Sequence, residues 1–142
     1  MLAKYWRLRV LNSTDQTLTY ADGARINVRA HPWKLVSGVL TYGTVITDDM
    51  GFSTTLAAAG QSEGDVQTNT DYWGINGYFE VIADLTSTDG TVYLYLEESD
   101  DNSNWPSDAT DFAINSHMTM ICALTLSTTD VDQKAAKNFK IV

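Results

Sequence analysis

The side chains best equipped for chemistry sit in an acidic loop. Asp100, Asn102 and Asn104 place oxygen-bearing groups at alternate positions, and Asp111 stands twelfth counting from Asp100. A calcium loop opens with that spacing, but it also needs a glycine at its sixth position and a bidentate glutamate at its twelfth. Here the sixth residue is Trp105, the seventh is Pro106 and the twelfth is the shorter aspartate. The expected state is a solvated loop with Trp105 and Pro106 folded back on the body of the protein. An irregular calcium site among Glu98, Asp100, Asp101, Asp108 and Asp111 is the alternative. No cofactor and no metal centre are expected.

Other reactive types lack companions. His31 precedes Pro32 and Trp33 with no nucleophile at a recognisable spacing, so it is expected at the surface and not as a general base. Cys122 is the one cysteine, which excludes an intramolecular disulfide. It falls in the alternating series Met118, Met120, Cys122, Leu124 and Leu126, where a small buried hydrophobe is expected. Neither a nucleophile elbow nor a phosphate-cradling glycine loop occurs. Carboxylates are so numerous that a pair of them carries little information. The chain is read as a non-enzyme.

The elements that must position these residues are strands. Alternation of period two with polar turns between the runs predicts strands over 6–11, 16–20, 25–29, 33–42, 44–47, 65–68, 77–85, 91–98, 118–126 and 138–142. Residues 53–64 read as a short helical turn or a loop, and 134–137 as a turn. Pro32 should end a strand or lie at an edge, because it has no N–H to donate. The strongest local signal lies in 77–107. Two alternating runs flank Ser87-Thr88-Asp89-Gly90 and predict one long antiparallel hairpin. At 142 residues the chain is a single domain, 1–142. The fold class expected is all-β, one β-sandwich of jelly-roll type with about eight strands. No segment has the roughly 20 apolar residues that cross a bilayer. The N-terminal MLAKYWR runs straight into a strand pattern, so a secretory leader is not expected.

Charge is segregated along the chain. Net charge is −9, yet residues 1–34 hold six Lys and Arg against Asp15 and Asp22. Residues 35–133 hold sixteen acids and no base, and Lys134, Lys137 and Lys140 follow. Such asymmetry bears on association and not on fold. Arg7 and Arg9 share a strand face, as do Arg25 and Arg29. If both strands belong to one sheet, the four arginines form a stripe, either paired within the molecule or offered to an acidic partner. Nucleic acid is a poor partner for so acidic a domain. Tyr93 and Tyr95 share a face with Glu97, and with Trp105 they are candidates for packing, self-association or stacking on a sugar.

The run TVYLYLEES followed by DDxxxWP, after a strand and a turn ending in Asp89-Gly90, resembles small virion proteins of tailed phages. These are mostly capsid decoration (cement) proteins, with some tail components, and many are β-sandwiches. The likeness is closest over 78–106 and extends to 118–126 and the closing KNFKIV. It implies a virion protein made in the host cytoplasm and held on the outer capsid surface. There it would bridge major capsid protein subunits, itself as a dimer or trimer, with no membrane or nucleic-acid partner. Arg7, Arg9, Arg25 and Arg29 are then the expected capsid-facing residues. A carbohydrate-binding module of a phage tail or spike is the alternative, with a small glycan hydrolase behind it.

Overall fold

The computed structural model describes residues 2–19, 25–46, 55–83, 89–106, 118–127 and 133–141. They form eleven strands: β1 (Tyr5–Thr14), β2 (Leu18–Thr19), β3 (Arg25–Val36), β4 (Val39–Tyr42), β5 (Thr55–Leu56), β6 (Gln61–Glu63), β7 (Gln67–Thr68), β8 (Gly74–Ala83), β9 (Gly90–Ser99), β10 (Met118–Leu126) and β11 (Gln133–Ile141). One antiparallel sheet has the order β10-β9-β1-β6, with β7 also on β1; the other runs β11-β8-β3-β4. A small β2–β5 ladder stands apart. The two main sheets pack face to face as a β-sandwich.

Period-two alternation builds the core. Trp6, Leu8 and Val10 of β1 and Val92, Leu94 and Leu96 of β9 point inward from the first sheet. Ile26, Val28, Ala30, Ile75, Phe79, Val81 and Phe139 meet them from the second. Each large apolar side chain so buried stabilises the fold by about 1.5–3 kcal/mol, which fixes which face of each strand turns inward. Buried Asn12 closes one end. Its Nδ2 donates to the carbonyls of Gln16, Leu56 and Ala57 at 2.8–3.1 Å, and its Oδ1 accepts from Thr14 N and Oγ1.

The expected hairpin over 77–107 does not form. β8 pairs with β3 and β11, whereas β9 pairs with β1 and β10, so the chain crosses between sheets there. Asp89-Gly90 grips β1 instead: Asp15 N donates to Asp89 O at 3.1 Å, and Asp89 N donates to Asp15 Oδ1 at 2.9 Å. Gly90 has φ +122°, and a Cβ there would lie 2.5 Å from Ser13 O, so only glycine fits. Two alternating strands satisfy a hairpin and a sandwich crossover equally well; long-range burial chose the crossover.

Three further expectations are corrected. Pro32 lies inside β3, opposite Ile75. Its carbonyl accepts from Gly43 N at 2.9 Å, so its ring nitrogen also faces that side, beyond the last β3–β4 pair, where no ladder donor is needed. A bulge between Met120 and Cys122 interrupts the regular face expected in β10. Met118 and Met120 pair with Glu97 and Tyr95 on the outer side, while Cys122, Leu124 and Leu126 turn inward. Residues 134–137 belong to the continuous strand β11, and 55–63 form short strands around a turn and no helix.

Candidate docking surfaces and a buried charge network

β1 runs between β9 and β6, so alternate β1 side chains stand beside both neighbours on the outer face. Register places Arg7 opposite Glu97 and Arg9 opposite Glu63. The four close a ring. Arg7 Nε lies 2.6 Å from Glu97 Oε2, and Arg7 Nη1 lies 2.8 Å from Glu63 Oε2. Arg9 Nε is 3.1 Å from Glu97 Oε1 and Arg9 Nη2 is 3.3 Å from Glu63 Oε1. Arg9 is 1% exposed and Glu97 fully buried. Burying such charges is tolerable because two guanidinium groups face two carboxylates and the cluster is neutral. The Trp105 ring covers it, with its centroid 4.3 Å from Arg7 Cζ.

This arrangement removes Arg7 and Arg9 from the expected docking face. Arg25 and Arg29 are on β3, in the opposite sheet, so the four arginines do not form one stripe. The sequence holds Glu63 and Glu97 in plain view, but which acid meets which arginine depends on strand order, which spacing does not encode. Tyr95 is also buried, and burial followed by the neighbouring Tyr93 pushes its hydroxyl pKa up. Tyr93 is half-buried, its ring centroid 6.3 Å from that of Tyr95. The pair is therefore packing, not an open stacking platform.

The loop after β9 is organised by Asp101. Its Oδ1 accepts from Ser103 N and Asn104 N, each at 2.9 Å, and from Ser99 Oγ at 3.1 Å. Its Oδ2 accepts from Asn104 Nδ2 at 2.6 Å. Those donors, the Ser103 and Asn104 amides foremost, hold the carboxyl well below the usual carboxylate range. Glu98 accepts from Ala3 N at 2.8 Å. An open depression of ≈ 470 Å³ lies among Glu98, Asp100, Asp101, Asn104, Trp105 and Pro106. No three His, Cys, Asp or Glu among the described residues are grouped to hold a metal, and Asp108 and Asp111 lie outside those residues.

The second sheet has the opposite polarity. β3, β8 and β11 carry Arg25, Arg29, Lys34, Lys134, Lys137 and Lys140 against the single acid Glu80. Glu80 is buried and accepts from Tyr78 Oη at 2.7 Å. Arg29 and Lys140 are exposed, and Lys140 Nζ sits 5.3 Å from the Trp33 ring centroid. The register sets Arg25 and Lys134 in one row, on either side of Ile82. His31 is half-buried; its Nε2 donates to Gly43 O at 2.9 Å, and its ring stacks on Tyr42 at 4.5 Å, which makes it a brace.

From this sheet the β3–β4 hairpin projects. Leu35, Val36, Val39, Leu40 and Tyr42 are each at least 40% exposed. Its turn, Ser37 and Gly38 with φ of +51° and +82°, is the tight two-residue type whose twist suits a hairpin. The single strand expected over 33–42 is therefore two, β3 and β4, and the Ser37-Gly38 dipeptide was the turn signal that marks the division. No family model, curated protein or solved structure matches this chain.

Proposed function

We propose that the protein is a non-enzymatic virion component of the capsid decoration type, which binds the outside of a major capsid protein shell and bridges its subunits. The observation that supports this is the polarity of the sandwich: in a chain of net charge −9, the strands of one sheet carry six of the nine Lys and Arg, and the register assigns four of these positions, Arg25, Arg29, Lys134 and Lys140, to its outer face. A basic sheet on an acidic molecule is oriented by an acidic surface before contact and fixed by its arginines on contact. Binding of this kind stabilises the shell by mass action, because the ligand favours the assembled state it recognises.

Co-sedimentation with empty capsid shells across a salt series tests the reading. Saturable binding that weakens with salt, and is lost in an Arg29→Glu, Lys140→Glu double variant, is the expected result. Binding indifferent to salt and to both reversals overturns the proposed face; no binding at all overturns the function. The depression beside Trp105 favours a second reading, a glycan-binding module of a tail or spike. Soluble glycans that change Trp fluorescence, together with no binding to shells, would bring it forward.

A further inference from the structure

We propose that the free edge of β4 is a self-association site, where a second copy of this chain adds strand to strand about a two-fold axis. The two four-stranded sheets then become one sheet of eight strands. This inference is independent of the capsid reading.

The hydrogen-bond phase of the hairpin identifies the groups involved. A two-residue turn makes Val36 and Val39 a hydrogen-bonded pair, and the phase alternates from there through Lys34 with Thr41 to Pro32 with Gly43. The 2.9 Å bond from Gly43 N to Pro32 O confirms that phase. Leu40 and Tyr42 therefore turn their N–H and C=O groups away from β3, and β4 ends the sheet order β11-β8-β3-β4. Placing Leu40 opposite Tyr42 of the second copy, and Tyr42 opposite its Leu40, joins all four groups on each side. The axis then passes between the two Thr41 residues, and each Leu40 lies beside a tyrosine ring.

Edges that avoid such pairing carry lysine, proline or a bulge. The far edge of the same sheet does so: β11 bears Lys134, Lys137 and Lys140. β4, with the sequence VLTY, bears none of these devices. Residues 30–47, which include β4 and the part of β3 beside it, contain Lys34 and no acid. The strand that would pair therefore brings no carboxylate of its own to the axis.

Apolar side chains flank the edge on both faces. Leu35, Val36, Val39, Leu40, Tyr42 and Val45 are 40%, 48%, 65%, 48%, 42% and 43% exposed. The register puts Val36 and Val39 on one face of the hairpin and Leu35, Leu40 and Tyr42 on the other. Edge pairing therefore covers only the flanks of Val39, Leu40 and Tyr42 that face the axis, and the four main-chain hydrogen bonds carry the contact. The hairpin is also held ready: the His31–Gly43 bond, the His31–Tyr42 stack and the 3.2 Å bond from Asn76 Nδ2 to Tyr42 Oη brace its base.

Sedimentation velocity of the full chain against concentration and salt tests the site, with three variants. Leu40→Lys supplies the guard that β11 has. Leu40→Pro removes only an outward N–H and leaves the β3–β4 bonds in place. Thr41→Cys, made with Cys122→Ala, sets two thiols across the axis at a non-hydrogen-bonded pair. The expected results are twice the monomer mass for the native chain, tightening as salt rises, and monomers for both Leu40 variants with unchanged circular dichroism. Mild oxidation should link the Thr41→Cys protein into covalent dimers, and adding Leu40→Lys should abolish that link. A monomeric native chain at its highest soluble concentration overturns the proposal. So does a dimer that survives both Leu40 substitutions. Capsid binding weakens with salt while this dimer strengthens, so failure of either reading is seen separately.

Discussion

At the scale of single residues, burial decides how much each charge matters. Glu97 is fully enclosed and serves both Arg7 and Arg9, whereas the Glu63 side chain is 48% exposed. Removing one partner of a buried pair leaves uncompensated charge and costs roughly 3–5 kcal/mol. Glu63 is half-exposed, but its partners Arg7 and Arg9 are buried, so its loss also leaves a guanidinium short of a counter-charge, though one nearer to solvent. Glu97→Ala is therefore expected to lower the unfolding free energy more than Glu63→Ala does, with denaturant titration as the measurement. Cys122 gives a pH dependence. Desolvation raises its thiol pKa above the usual 9.0, with Lys137 opposing, and Tyr95 is raised above 10.0 mainly by burial. A raised acid favours the fold until the unfolded chain ionises, so this contribution is intact below pH 9.0 and is lost as pH climbs through the native pKa values. Melting temperature should fall above about pH 9, and Cys122→Ala should move the onset toward the tyrosine range. At neutral pH the thiol should resist aromatic disulfide reagents until the protein opens.

At the scale of elements, two turns with similar chemistry have different duties. Gly90 works in a crossover and is hemmed in by Ser13 O and Thr14 Cα, while Gly38 works in a projecting hairpin with nothing within 4 Å of its missing Cβ. Gly90→Ala combines backbone strain with collision against backbone that cannot withdraw, so a loss above roughly 3 kcal/mol is expected. Gly38→Ala meets only the left-handed strain, about 1–2 kcal/mol, and its damage stays in the hairpin. Thermal melts of the two variants, with hydrogen exchange across residues 33–42, separate the cases. The loop of residues 99–106 is a third unit. Asp101→Ala removes the acceptor for four donors, so Trp105 should leave Arg7 and its emission should shift to the red.

For the whole molecule, the two sheets differ in what they do with charge. In the first, Arg7 and Arg9 face Glu63 and Glu97 and neutralise one another inside the protein. In the second, the basic residues have one acid among them and Arg29 and Lys140 remain at the surface. Docking by that sheet should be steered from a distance and weaken with ionic strength over the Debye range, roughly 10 Å at 0.1 M salt. Reversing Arg29 should reduce the association rate more than it changes the dissociation rate. Reversing Arg9 should unfold the protein before any docking is measured.

Much of the fold was legible in sequence order. Alternation at Trp6, Leu8 and Val10, and again at Val92, Leu94 and Leu96, fixed the all-β class, the inward face of each strand and the core, because side chains of a strand turn over at every residue. The asymmetry of charge was likewise evident from composition along the chain. What local pattern could not supply was the identity of neighbours. Whether β8 pairs with β9, whether β1 and β3 share a sheet, and where Glu97 lies relative to Arg7 all depend on contacts between residues distant in sequence. Those contacts are selected by total burial, a sum over both sheets that no single segment carries. Hence the candidate site divided: Arg29 stayed at the surface on the second sheet, and Arg7 and Arg9 became part of the interior because β9 and β6 brought carboxylates to them.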